Sequence, residues 1–325
     1  MAQCLVLHFG KGGLLEFHGV LAAVCVRSSS WYSSVHLPGV ARNRRATVVD
    51  VGECDEEDAA GWQRACELVA AARRITVLTG AGISTGAGIP DFRGPNGVWT
   101  RDPRAQRLSD IDSYLADPEV RRAAWRSRAR HPAWEAEPGP AHRALTELAN
   151  SGRLRALLTQ NIDELHQRAG LDPELVLELH GSMFSTVCLE CGETGAMRAA
   201  LRRVAEGDPD PSCERCGGIL KSATVSFGQA LDPEVVRSGQ RAAMDCELFL
   251  SAGTSLTVHP AAGFAELAVR AGADLIVCNA EPTPYDDQAA AVLRGNLDEV
   301  LPRLLSVPTV PNSSPLRTWG DPSTW

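Results

Sequence analysis

Short apolar runs ending at glycine or polar turns recur along the chain, with helix-like stretches between them. Ile75 to Leu78, Leu154 to Thr159, Leu175 to Leu179, Glu247 to Ala252 and Leu275 to Cys278 are such runs. Their length and their Leu, Ile and Val content predict strands buried on both faces. Ala59 to Ala72, with Asp55 or Asp58 as cap, and Ala261 to Ala271 predict helices. Residues 104–150 predict a broken helical insertion: Asp117-Pro118 opens one segment, and Pro138-Gly139-Pro140 precedes another from Ala141 to Asn150. Strands alternating with helices predict an α/β fold, a Rossmann-like parallel sheet with helices on both faces. Residues 184–222, rich in Cys, Gly and charge, break the rhythm and predict a small separate module.

Residues 1–46 carry no periodicity, and Glu16 and His18 interrupt the apolar stretch from Leu14 to Val26. They predict a disordered or mis-started extension rather than a targeting peptide. Residues 307–325, Pro/Ser-rich, predict a loose tail. The domain proper is therefore expected at 47–306.

Composition narrows the picture. Of 325 residues, 44% are hydrophobic but only 5% aromatic, so the core should be built from Ala, Val and Leu. A net charge of −8 argues against direct nucleic-acid binding by bulk electrostatics. No apolar stretch is long enough to span a membrane, so no membrane partner is expected. Of the 10 cysteines, those outside two C-x-x-C pairs follow no spacing pattern, which suits a reducing, cytoplasmic setting.

The chemistry gathers at the predicted strand ends, where ligands of such sheets bind. Gly80 to Thr100 reads GAGISTGAGIPDFRGPNGVWT. Gly80 and Gly82 fit a dinucleotide turn, but Thr85 takes the third glycine position and no acidic residue ends a second strand where a dehydrogenase needs one. Gln160, Asn161 and Asp163 follow the second strand, as an Asx turn, as ligands for a nicotinamide carboxamide, or as both. Gly253-Thr254-Ser255 is by itself an ordinary helix entry; beside the other turns it offers hydroxyls and N–H groups to phosphate or ribose. Asn279 is placed for the adenosine ribose, with Glu281 a weaker candidate. His180 ends the third strand, well placed as a base near neutral pH, whereas His142, His166 and His259 read as structural or surface groups. Cys188, Cys191, Cys213 and Cys216 form two C-x-x-C pairs, a set of four thiolates for one structural zinc with no open catalytic position.

Five segments in order, the glycine turn, Thr159–Asp163, Glu178–Gly181, the Cys pairs and Gly253–Leu256, resemble the sirtuin family, bacterial type. The resemblance covers roughly Val49 to Leu305. It implies an NAD-dependent protein lysine deacylase, a deacetylase first, that consumes NAD and acts on acyl-lysine proteins or peptides. In the implied reaction the acyl oxygen displaces nicotinamide from the ribose, His180 takes a ribose hydroxyl proton, and O-acyl-ADP-ribose and free lysine leave. The resemblance assigns catalysis to His180, Asn161 and Asp163. It assigns NAD contacts to Gly80, Ala81, Gly82, Asp91, Phe92, Arg93, Gln160, Asn161, Ile162, Asp163, Gly253, Thr254, Ser255 and Asn279. It assigns the substrate to Val225, Phe227, Gly228 and Val258, with an extended peptide held by strand addition. Gln229 stands where family members carry Glu, and Trp125 and Arg128 where members that remove acidic acyl groups carry Tyr and Arg. The rival readings are a mono-ADP-ribosyltransferase and a non-catalytic zinc-ribbon protein with a degenerate nucleotide site.

Overall fold

The computed structural model describes residues 56–94 and 97–309, together with four short strands before residue 49. It divides into two units, residues 1–63 and 64–325. In the first, β1 (Ala2–Leu5), β2 (Leu7–His8), β3 (Val24–Arg27) and β4 (Thr47–Val48) pair antiparallel, β1 with β3 and β2 with β4. The remainder of the predicted extension, and the predicted tail beyond Thr309, lie outside the described residues.

The second unit is built on β5 (Ile75–Thr79), β6 (Leu154–Thr159) and β7 (Val176–Glu178), then β8 (Gly181–Cys188), β9 (Thr194–Ala196) and β10 (Leu220–Thr224), and finally β11 (Leu248–Ala252), β12 (Asp274–Cys278) and β13 (Ala291–Leu293). Six of these form one parallel sheet in the order β13-β12-β11-β5-β6-β7. Register explains the apolar runs. Phe249 aligns with Thr76 and Leu275, and Ser251 with Leu78 and Val277, so these residues share one face. That face packs on Ala242, Phe264, Ala265 and Ala268, from helices Pro233–Met244 and Gly263–Arg270. The alternate residues Val77, Leu157, Leu250 and Ile276 are equally buried on the other face. Burying one Leu or Ile side chain contributes about 1.5–3 kcal/mol, so a register slip in any central strand would be heavily penalised. Thr76, one of two polar residues named on the first face, donates its hydroxyl to the Ala242 carbonyl at 2.8 Å.

The chain runs β5, β6, β7 in one direction and then returns to place β11 on the other side of β5. The strand order therefore reverses between β5 and β11, the crevice where open α/β sheets take ligands. Two excursions flank it. The helical insertion lies between β5 and β6; Asp117 caps Pro118–Ala129 by accepting from Glu119 N–H, and Pro140–Asn150 begins just after the Pro-Gly-Pro signal. Between β7 and β11, β10, β8 and β9 form a small antiparallel sheet carrying helix Met197–Ala205. Gly181 makes that excursion: its φ is +68°, and a Cβ there would stand 2.0 Å from the Ala223 carbonyl oxygen. Among the described residues no helix is long and apolar enough to cross a membrane.

Candidate functional site

The floor of the crevice is made of two strand-end turns in backbone contact. Gly82 N–H donates to Gly253 O at 2.8 Å, and Gly80 N–H to Ala252 O at 3.1 Å. A Cβ on Gly80 would lie 2.7 Å from Gly253 O and from Thr254 Cβ, and one on Gly253 2.5 Å from Ile83 N. The glycines, read in the sequence as room for a diphosphate, are thus also required for the two turns to touch. Gln160 joins them from β6, its amide donating to Thr254 Oγ1 at 2.8 Å.

Over this floor stands a buried polar knot. Ser84 donates to Asp163 Oδ2 at 2.7 Å and accepts from Asn161 Nδ2 at 3.1 Å. His142 Nδ1 accepts the Gly139 N–H at 3.2 Å, so its proton lies on Nε2, 3.4 Å from Ser84 Oγ. The second Asp163 oxygen accepts the Leu165 N–H at 3.1 Å. The Ser84 oxygen therefore has its donor and both acceptor positions engaged. Burial holds His142 below the usual histidine range, against the opposing pull of Asp163 and Asp298. His166 packs beside it, ring centroids 5.0 Å apart, and burial holds it lower still. Asn161 and Asp163 are brought together as the sequence predicts; Ser84 and His142 complete the set and were not predicted. The signal for Ser84 was only its place one turn after Gly80, and for His142 its helical start beside Gly139. Ser84→Ala strips an acceptor from two buried donors and a donor from a carboxylate. It is expected to lower stability by about 1–3 kcal/mol, read from urea unfolding.

His180 follows β7. Its Nδ1 is 2.9 Å from the Gln160 carbonyl, to which it donates, leaving Nε2 free as a base. Burial lowers its pKa below 6.5, with the Gln160 bond pulling the other way. An imidazole held in this way gives up its extra proton more readily than a free one. The acid limb of kcat/KM should lie below pH 6.5; a limb near 7 would instead report Glu178, which burial pushes up to about 7.

The remaining predicted residues divide. Asn279, at the end of β12, is half-buried and donates to Glu281 O at 2.7 Å, while Arg294 ties down the carbonyls of both residues. Asp91 accepts the Gly94 N–H at 3.0 Å, so its carboxylate shapes its own loop. Phe92 and Arg93 are exposed on that loop. Ala81, Ile162 and Ser255 are half-buried around the crevice turns. Val225 N–H pairs with His180 O at 2.9 Å, placing the Val225–Gly228 loop beside His180. Gln229 Oε1 accepts the Ser226 N–H at 2.9 Å, a loop-closing bond that needs no charge. Val258 is half-buried in the loop after β11. Trp125 is buried in one cluster with Met197 and Ala200, against which Leu220 packs, and among the described residues its indole N–H has no partner. Burial pushes the Arg128 guanidinium, on the same helix, down to about 10.

In the small module the sulfurs of Cys188, Cys191, Cys213 and Cys216 all lie within 4.8 Å of one another. Cys188 and Cys216 are 3.5 Å apart, and Cys191 and Cys213 3.7 Å. Tetrahedral zinc with bonds of about 2.3 Å needs sulfurs about 3.8 Å apart, so the four fit that ion. The two knuckles repeat one pattern: Cys188 N–H bonds Glu193 O and Gly192 N–H bonds Cys188 O, as Cys213 N–H bonds Gly218 O and Gly217 N–H bonds Cys213 O.

Residues 80–260 match the Sir2 family model. The chain is similar to NAD-dependent protein deacetylase 2 of Streptomyces coelicolor, 49% identical over 231 residues, which span 71% of this chain and 96% of that protein. It is 42% identical over 243 residues to NAD-dependent protein deacetylase 1 of Bradyrhizobium diazoefficiens, covering 74% and 94% of the two. Among solved structures, a Sir2 enzyme studied for mechanism and regulation aligns with TM-score 0.69 and 38% identity over 76% of this chain and 97% of that one. A Sir2 complex with a p53 peptide and NAD+ aligns with TM-score 0.66 and 33% identity, covering 74% and 95%.

Proposed function

The chain belongs to the Sir2 family, and from that premise we propose that it is an NAD-dependent protein lysine deacylase acting first on acetyl-lysine. One observation carries the reading: His180, just after β7, bonds the Gln160 carbonyl next to Asn161 of the Asn161–Ser84–Asp163 knot, and its own carbonyl pairs with Val225 of the Val225–Gly228 loop.

NAD, when bound, supplies a cleavable bond between ribose and nicotinamide and the ribose hydroxyls that receive the acyl group. The residues fit that co-substrate by the chemistry they offer. Asn161 and Asp163 present a carboxamide and a carboxylate for the nicotinamide end, held in place by Ser84. Gly80–Gly82, Gln160 and Gly253–Ser255 line the floor for phosphate and ribose, and Asn279 takes the adenosine ribose. Phe92 and Arg93 cover the site and exclude water, which protects against simple hydrolysis. His180 Nε2 accepts the proton of a ribose hydroxyl. The peptide pairs with the Val225–Gly228 loop and with Val258. Zinc, held by the four cysteines, is structural. Residues 47–306 carry this activity, and the described cysteines, none of them in a disulfide, suit the cytoplasm.

The test is incubation with NAD and a panel of acyl-lysine peptides, with products read by mass. Nicotinamide, deacylated peptide and O-acyl-ADP-ribose are expected, fastest from acetyl-lysine, since Trp125 offers no phenol to a distal carboxylate. A peptide gaining the mass of ADP-ribose would replace this reading with ADP-ribosyl transfer, and a succinyl preference would overturn the acyl assignment.

A further inference from the structure

Trp99 touches both loops that flank the site. Its ring centroid lies 4.8 Å from that of Phe92 and 5.4 Å from that of Phe227. The Arg93 guanidinium stands 4.7 Å over the same ring. Trp99 is 9% exposed, whereas Phe92 and Phe227 are 40% and 44% exposed. One buried indole thus supports two exposed rings, one from each loop, at separations typical of attractive aromatic pairs. The backbone repeats the connection. Trp99 N–H donates to Phe92 O at 3.0 Å and Val98 N–H to Asp91 O at 2.8 Å. Further along the same segment, Phe227 N–H donates to Ser109 O at 2.7 Å and Ile111 N–H to Phe227 O at 3.0 Å.

Resting on the function proposed above, we propose that Trp99 is a positioning residue that couples the two substrates. An acyl-lysine packed on Phe227 fixes that ring against Trp99. Trp99 in turn fixes Phe92 and Arg93, the groups that cover the nucleotide. Each ligand then finds part of its own loop already ordered by the other, and the two bind with mutual, reciprocal enhancement. The contact is made by packing and not by a hydrogen-bonded atom, so another flat ring can serve and an aliphatic side chain of similar bulk cannot stack with the guanidinium.

ADP-ribose, which has no nicotinamide to release, permits the measurement without turnover. Its affinity is titrated calorimetrically with and without a saturating acetyl-lysine peptide, for the parent chain, Trp99→Phe and Trp99→Leu. The peptide should tighten ADP-ribose binding by about fivefold or more in the parent. Trp99→Phe should keep most of that factor, and Trp99→Leu should bring it under about twofold while each ligand alone still binds. Unchanged zinc content and unfolding midpoint establish that Trp99→Leu is folded; should it fail to fold, Trp99→Met replaces it. Equal coupling in parent and folded variant overturns the proposal, as does a parent that binds both ligands independently. A parent that binds neither overturns the deacylase reading itself.

Discussion

His180→Ala is expected to lower kcat by about 10²–10⁴-fold, the usual contribution of a positioned general base, with zinc content and secondary structure kept. The imidazole lies at the end of β7 and is held through one bond, from Nδ1 to the Gln160 carbonyl. Removing it leaves that carbonyl at a half-exposed position where water can replace the ring. The strand, the Gly181 turn and the pairing of Val225 with His180 O are backbone features and survive the substitution. Peptide and nucleotide binding should therefore change far less than turnover. Steady-state kinetics with an acetyl-lysine peptide decides the point, and a variant turning over at the parent rate removes His180 from the mechanism.

Loss of zinc is expected to be the most severe structural lesion. The module has few buried apolar residues of its own: Met197 and Ala200 pack outward against Trp125 of the helical insertion. Structural zinc contributes about 10–16 kcal/mol of apparent binding free energy in finger peptides, as much as the whole stability of a typical domain, about 5–15 kcal/mol. Cys216→Ser or Cys188→Ser should release the ion, lower Tm by about 10 °C or more and reduce soluble yield. The damage should spread to the insertion, because Trp125 loses its packing on Met197 and Ala200. Metal analysis should find about one zinc per parent chain. A soluble, active, zinc-free protein would show that the cysteines do something else.

Much of this arrangement can be read from residues alone, for identifiable reasons. The central strands are legible because both faces are buried, which makes them continuous apolar runs. The zinc knuckles are legible because ligand chemistry imposes its own spacing. Other features carry weaker signals. β13 has only three residues, Ala291–Leu293, and is recognised by pairing with β12, a long-range property. Helix Leu297–Leu305 has a cap in Asn296 and apolar residues at helical spacing, but Pro302 inside it argues the other way. Helix Pro233–Met244 opens with Asp232-Pro233, the same start that marks Pro118, yet its exposed Arg and Gln residues mute the periodicity. Asn161, Asp163 and His180 follow strand ends, and those positions are legible in the sequence. Ser84, His142 and Trp99 act through partners distant in sequence, and only folding shows which ones.

The contact of Gly80 and Gly82 with Gly253 joins segments from opposite ends of the domain. During synthesis, β5, β6, β7 and the zinc knuckles leave the ribosome well before β11 does. Until β11 arrives, one long edge of β5 has no strand to pair with, and the floor of the crevice does not exist. With the nucleotide contacts proposed above, NAD would then stabilise only a chain that has been made through Gly253 and Thr254. A nascent or prematurely terminated product keeps an open, apolar strand edge of the kind that aggregates, and it gains no protection from cellular NAD, because ligands stabilise only the state that binds them. The cofactor would thus discriminate finished molecules from unfinished ones before any acyl-lysine is encountered.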